Sequence, residues 1–139
     1  MFRKPLRAWA FVLIGFGLAT TAALAPADDP KPEEIKIVGR YRAEGTLPNN
    51  GKYAAILTIR AKKDIFELTW SAPGEGASYS GTGIRRGDIL AASWIVHGPV
   101  PITGVMIYKI AKGPKLDADW AIHPSDGKIY KEVCVKAEE

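Results

Sequence analysis

The chain has 139 residues, of which 47% are hydrophobic and 24% are charged. This length suits one domain, and the composition excludes a disordered or collagen-like protein. The single cysteine, Cys134, excludes an internal disulfide framework and a cysteine-based zinc site.

The first 27 residues have the pattern of a secretory signal peptide. Three basic residues lie within the first nine, and an uncharged run follows, AFVLIGFGLATTAALA. Small residues after this run predict cleavage after Ala27, with Ala25 as the other acceptable position. We therefore expect export to the periplasm or secretion. The alternative is an uncleaved signal that anchors the protein in the membrane, because the run approaches the roughly 18 residues of a spanning helix.

The net charge is smaller once the predicted signal is set aside. The 19 Lys and Arg against 15 Asp and Glu give the whole chain a net charge of +4. The signal contains three of the basic residues and no acidic ones, so the remainder has a net charge of +1. That balance gives no electrostatic reason to expect nucleic acid as a partner. Residues 28–34 (DDPKPEE) are predicted to form a flexible leader, and residues 35–139 a single domain.

After the leader, runs rich in Val, Ile, Thr and aromatic residues alternate with short breaks containing Gly, Pro or charged residues. These runs predict eight strands: Ile35–Thr46, Lys52–Ala61, Ile65–Ser71, Ala77–Arg85, Ile89–His97, Thr103–Lys112, Lys115–Ile122 and Lys128–Val135. Breaks this short join only antiparallel neighbours. We predict an all-β fold, a single eight-stranded antiparallel up-and-down barrel, because closure removes the two exposed edges of a meander. A two-sheet β-sandwich is the alternative.

A five-residue repeat ending in an aromatic residue marks the odd-numbered strands. It reads IVGRY at 37–41, FELTW at 66–70, LAASW at 90–94 and LDADW at 116–120. Side chains alternate between the two faces of a strand, so positions one, three and five of each copy share a face. Each even-numbered strand carries one tyrosine, namely Tyr53, Tyr79, Tyr108 and Tyr130.

Odd-numbered strands end at the rim where even-numbered strands begin, so many of these rings are expected near one mouth of the barrel. If they point inward, the mouth is lined by Tyr41, Trp70, Tyr79, Trp94 and Trp120. Gly81 and Gly83 are expected to leave space beside them. A concave aromatic pocket is the usual form of a small-molecule site. The alternative is that the rings fill the end of a small barrel and bind nothing.

The alternation of Gly-x-Tyr, Leu-x-x-x-Trp and Tyr-x-Ile over residues 35–135 resembles small exported bacterial proteins, some of which carry a "fibronectin-binding-like" label. In strand number and size the layout is also similar to the avidin and lipocalin (calycin) barrels. Where a lipocalin has G-x-W near its first strand, this chain has Gly39-Arg40-Tyr41. The resemblance implies a calycin-like barrel and assigns no functional residue.

Other candidate chemistry is sparse. Arg86-Gly87-Asp88 spells the adhesion tripeptide RGD in a predicted turn, where such residues also serve ordinary turn geometry. The spacing of the histidines and acidic residues predicts no metal site, and we expect no cofactor. Glu67 and Glu132 are expected to face water and pair with Lys or Arg across the sheet, and Cys134 to be a buried filler.

The sequence predicts a non-enzymatic exported protein, because no acid–base or nucleophile set can be named. The first hypothesis is a binding protein whose aromatic mouth holds a small apolar or aromatic ligand. The second is a plugged structural or adhesion-type barrel that meets an extracellular or envelope protein through its outer surface or loops, with the RGD turn as its candidate site. Neither hypothesis involves nucleic acid, and neither requires a membrane span once the signal is removed.

Overall fold

A computed structural model describes residues 36–72 and 78–138. They form eight strands: β1 (Gly39–Thr46), β2 (Lys52–Lys62), β3 (Ile65–Ser71), β4 (Ser78–Arg86), β5 (Ile89–Val96), β6 (Ile102–Ile110), β7 (Lys115–His123) and β8 (Tyr130–Lys136). The predicted signal (1–27) and leader (28–34) lie outside the described residues. Each observed strand overlaps one predicted strand, and the largest difference is that β1 begins at Gly39 rather than Ile35.

The strands form a closed antiparallel barrel in which each one pairs with the next along the chain. Closure is made by β8 returning to β1, with Ala43 opposite Cys134 and Gly45 opposite Glu132. No strand edge remains open, which is the physical advantage of a barrel over a flat meander. The prediction of an eight-stranded up-and-down barrel is confirmed, and the sandwich alternative is wrong.

Tight turns set the register at the end of the barrel where even-numbered strands end. The β2–β3 and β4–β5 connections each consist of two residues, with Lys63 (φ 53°) and Gly87 (φ 59°) at the first position. A positive φ in a two-residue hairpin matches the right-handed twist of the flanking strands. We call this end the distal rim. The opposite end, where odd-numbered strands end, we call the cavity rim.

Alternation along the strands separates a buried face from an exposed one, as in the pattern eBeBeBiie of β7. In the half of the barrel nearer the distal rim, large aliphatic side chains meet and exclude solvent. This distal core consists of Leu57, Ile59, Leu68, Leu90, Ile110 and Leu116. These residues are 0–4% exposed, as expected for side chains in a close-packed protein interior.

The outer face of the sheet carries charged side chains in cross-strand and neighbouring pairs. Lys62 Nζ lies 2.5 Å from Glu67 Oε1, which confirms the prediction that Glu67 faces outward and pairs with a basic residue. Lys131 pairs with Asp119 across β7 and β8. Pairs this exposed add little stability but keep the outer face soluble. In residues 36–72 and 78–138 there is no helix with the length and hydropathy to span a membrane.

Candidate functional site: an aromatic cavity with a buried carboxylate

The side chains of the described residues do not fill the interior at the cavity rim. A cavity of about 330 Å³ lies there, bounded by side chains from seven of the eight strands and the adjoining connections. Its lining residues are Leu47, Lys52, Tyr53, Ala54, Ala55, Trp70, Ala72, Tyr79, Trp94, Met106, Trp120 and Glu132. The wall is therefore mostly aromatic and aliphatic, with one acid inside and one lysine at the rim.

Three tryptophans, one from each of β3, β5 and β7, form much of this wall. Trp70, Trp94 and Trp120 are 4–9% exposed and occupy inward positions of their strands. The Trp94 and Trp120 rings meet edge to face, with centroids 5.7 Å apart and planes at 82°. Trp120 makes a similar contact with Tyr53 at 6.5 Å, and Trp94 with Tyr79 at 6.4 Å. Edge-to-face contacts of this kind fix ring orientations, so the wall is a connected set of rings.

Two of the rings lie directly over glycines on the neighbouring strand. A Cβ atom on Gly104, which is opposite Trp94, would meet the indole at 2.3 Å. One on Gly45, opposite Tyr53, would meet the phenol ring at 2.5 Å. The rings occupy the volume that a side chain would otherwise need. The expectation that Gly81 and Gly83 leave open space is wrong. A Cβ atom on Gly81 would lie 2.1 Å from the Ser93 carbonyl oxygen and 3.1 Å from the Trp70 ring, and one on Gly83 would lie 2.9 Å from the Leu90 side chain.

Glu132 is the charged group inside this part of the barrel. It is 2% exposed and projects inward from β8, so the expectation that it faces water and pairs with a basic residue is wrong. The Tyr53 hydroxyl donates to Oε2 at 2.6 Å, and the Tyr108 hydroxyl donates to Oε1 at 2.8 Å. The Cys134 thiol also donates to Oε1, at 3.2 Å. Three donors from three different positions thus converge on one carboxylate.

The electrostatics of these donors agree with their geometry. Burial, reinforced by the nearby charge of Glu132, raises the pKa of Tyr53 and of Tyr108 well above the ordinary value of 10.0. The same two causes raise the pKa of the Cys134 thiol above its ordinary value of 9.0. All three groups therefore keep their protons at neutral pH and act as hydrogen-bond donors. Cys134 is buried at 0% exposure, as predicted, and it also has this polar contact.

The indole N–H groups do not offer donors to the cavity. The Nε1 atoms of Trp70, Trp94 and Trp120 are buried, and none makes a hydrogen bond of good geometry. Two of them have a small effect on the neighbouring phenols: Trp120 lowers the pKa of Tyr53 and Trp70 lowers that of Tyr108, but burial and the Glu132 charge outweigh both and raise these pKa values. Two phenols, Tyr53 at the cavity wall and Tyr108 behind it, are already directed at Glu132, and the Tyr79 hydroxyl also lies in the wall.

Four of the five residues predicted to line the mouth do line this cavity, namely Trp70, Tyr79, Trp94 and Trp120. Tyr41 does not. It pairs with Lys136, the last residue of β8, and so lies towards the distal rim, where its hydroxyl donates to the Ile37 carbonyl oxygen at 2.8 Å. The cause is the length of β1, which continues five residues beyond Tyr41, whereas the other copies of the repeat end near the cavity rim.

Sequence reasoning did not identify Glu132, Tyr53, Lys52 or Met106 as site residues. The burial of Glu132 could have been predicted, because side chains two positions apart on a strand share a face and Cys134 was expected to be buried. The faces of β8 are hard to distinguish otherwise, since Val133 and Val135 give the outer face as much apolar character as Tyr130 and Cys134 give the inner one.

The Arg86-Gly87-Asp88 tripeptide lies at the distal rim, where Arg86 ends β4 and Gly87 and Asp88 form the two-residue turn to β5. All three residues are exposed. Arg86 donates to the carbonyl oxygen of Arg85, and the Asp88 carbonyl oxygen accepts from the Ile110 amide at 2.7 Å. The turn is accessible, and it lies at the opposite end of the barrel from the cavity.

Within the described residues, no group of three or more His, Cys, Asp or Glu side chains is arranged to hold a metal ion. Comparison with known proteins adds no assignment: no protein-family model matches the chain, and no curated protein matches it significantly. The case for function rests on the geometry of the cavity and on the residues that build it.

Proposed function

We propose that the protein is an exported, non-enzymatic binding protein that holds a small apolar or aromatic ligand in the cavity of its barrel. The observation that carries this proposal is the contrast within one interior. The distal core is filled by aliphatic side chains, whereas the half nearer the cavity rim retains about 330 Å³ walled by tryptophan and tyrosine. Export is supported by the signal-like pattern of the first 27 residues.

The size of the cavity favours binding over a plugged barrel. A liquid water molecule takes up about 30 Å³, so the space could hold about ten waters. Protein interiors contain few voids larger than one water, because each void forfeits packing contacts. Ligand pockets begin at about 300 Å³ and are mostly apolar with a few placed polar groups. The cavity matches that description at the small end of the range.

The groups around Glu132 support binding rather than catalysis. A nucleophilic cysteine needs a lowered pKa, whereas burial and the Glu132 charge raise the pKa of Cys134. The two phenols also remain protonated and are committed to the carboxylate as donors. The arrangement holds a negative charge in place and leaves the thiol and phenols unactivated at neutral pH.

Tryptophan fluorescence offers a direct test. The chain has four tryptophans: Trp70, Trp94 and Trp120 line the cavity, and Trp9 belongs to the predicted signal. Emission from a protein beginning at residue 28 therefore comes wholly from the cavity. We expect a saturable change in emission with members of a library of small aromatic and apolar compounds. Emission that stays unchanged across such libraries, lipids included, would contradict the proposal.

A cavity-filling variant provides the matched control. Ala55 faces inward from β2 and lines the cavity, so Ala55→Leu adds methyl groups to the empty space. We expect it to weaken ligand binding at least tenfold without lowering the midpoint of thermal unfolding. Ala91→Leu, on the exposed face of β5, adds the same atoms outside the barrel and should leave binding unchanged.

A second candidate role is contact with another protein through the RGD turn, whose exposure at the distal rim favours it. Capture of a partner from envelope or matrix extracts, lost on Asp88→Ala and retained on Asp64→Ala in the neighbouring β2–β3 turn, would support this role. Equal capture by both variants would contradict it.

A further inference from the structure

Glu132 is a buried acid for which the described residues supply no partner of opposite charge. Its three contacts are two phenols and a thiol, all neutral donors. Among residues 36–72 and 78–138, no Lys, Arg or His side chain lies within ion-pair distance of it. Burying a carboxylate is costly unless it is hydrogen-bonded and paired. The hydrogen bonds meet the first requirement, and no described residue meets the second.

The carboxylate also keeps room for one more donor. Each carboxylate oxygen accepts about two hydrogen bonds. Oε1 accepts from Tyr108 and Cys134, whereas Oε2 accepts only from Tyr53. Glu132 lines the cavity, so a group bound there can approach it. A ligand that donates a charged hydrogen bond would complete the carboxylate's coordination.

The walls favour the same sign of charge. The faces of tryptophan and tyrosine rings are electron-rich and attract cations, most strongly when water is excluded. Trp120 is central here, because it contacts Tyr53, Trp94 and Tyr130, the last at a centroid distance of 4.6 Å. Fewer groups favour an anion, since the indole N–H groups are buried and the phenols of Tyr53 and Tyr108 donate to Glu132. Among the described lining residues, the side-chain donors that remain are the Tyr79 hydroxyl and Lys52, which is exposed at the rim.

We propose that the cavity selects a small organic cation, a protonated or quaternary amine on an aromatic or apolar body, with its charge beside Glu132 and its body against the tryptophans. This inference rests on the proposed function, because it requires that the cavity holds a ligand. It adds the charge class of that ligand and the residue that recognises it.

The test uses three compounds that share a phenyl group on a short carbon chain and differ in charge: 2-phenylethylammonium (positive), 2-phenylethanol (neutral) and phenylacetate (negative). Each is titrated into the protein at pH 7 by calorimetry. We expect the ammonium to bind at least tenfold more tightly than the alcohol, and phenylacetate to bind most weakly. Glu132→Gln keeps the side-chain shape and removes the charge. It should weaken ammonium binding at least tenfold and change that of the alcohol by less than threefold. Glu67→Gln, on the outer face of β3, makes the same change outside the cavity and should leave ammonium binding unchanged.

Each outcome decides the inference. Alcohol or phenylacetate binding as tightly as the ammonium overturns the charge assignment and leaves the ligand-binding function standing. A cation preference that survives Glu132→Gln overturns the role of that residue. Failure of all three compounds overturns the inference too, and the wider fluorescence screen then decides the proposed function separately. If Glu132→Gln does not fold, Tyr53→Phe frees an acceptor position on Oε2 and should strengthen ammonium binding alone; weaker or unchanged binding contradicts the inference.

Discussion

The two halves of the barrel interior are made by the same eight strands and are shielded from solvent almost equally, yet they are filled differently. Leu57 and Leu90 in the distal core are 0% exposed, and Trp94 and Trp120 at the cavity are 9% and 7% exposed. The distal core interlocks aliphatic side chains. The cavity half stacks rigid rings edge to face around a void and a carboxylate. Burial alone therefore does not distinguish the two halves, whereas unfilled volume and the buried carboxylate do.

The largest expected difference between the halves is in the cost of removing a large side chain. Leu90→Ala in the distal core should lower the free energy of unfolding by about 3 kcal/mol, because it leaves a new void among packed atoms. Met106→Ala should cost roughly half as much, because Met106 already borders the cavity and has fewer contacts to lose. Denaturant unfolding of both variants measures the difference. Equal losses would show that the cavity half is packed as tightly as the distal core.

A smaller difference is expected between two buried tyrosines. Tyr108→Phe removes a donor from the Glu132 carboxylate and should cost about 2 kcal/mol, since hydrogen bonds to charged groups are the stronger kind. Tyr41→Phe removes a bond to a backbone carbonyl oxygen and should cost about 1 kcal/mol. The same unfolding measurement applies. A greater loss at Tyr41 would mean that Glu132 is not held as a carboxylate by its phenol donors.

The smallest expected effect is the response to alkaline pH. The pKa of Tyr108 is raised on folding, so the unfolded chain releases this proton first and the folded state loses stability as pH rises. The contribution is intact well below the ordinary pKa of 10.0 and falls by roughly 0.4 kcal/mol at pH 10, where the unfolded tyrosine is half ionised. Wild type should therefore lose more stability than Tyr108→Phe between pH 8 and pH 10. If the free energy of unfolding falls equally with pH in wild type and Tyr108→Phe, the raised pKa of Tyr108 is contradicted.

Much of the fold follows from sequence because its causes are local. Alternating side chains, prolines confined to breaks and turn residues such as Gly87 act over a few positions each, and together they leave closure as the way to cover both edges. The inward direction of Trp70, Trp94 and Trp120 follows from the same alternation.

The parts of the site that sequence did not predict depend on distant strands. Tyr41 was placed at the wrong end because the length of β1 is decided by pairing with β2 and β8 rather than by the repeat. The sequence predicts a solvent-facing Glu132, because an isolated acidic residue in a strand usually faces water. Its burial depends on Tyr53, 79 positions earlier in the chain, and on Tyr108, 24 positions earlier. Such convergence is visible only once the register of the whole barrel is known.

The pairing of β8 with β1 has a consequence for how the molecule is made. These strands are the last and the first of the barrel, so their contacts have the longest sequence separation in it and are the slowest kind to form. Glu132 and Cys134 lie on that closing strand. The pairing of β8 with β1 therefore both closes the ladder and brings Glu132 to the cavity, so a chain in which these strands have not paired lacks the closing hydrogen bonds and the buried carboxylate together.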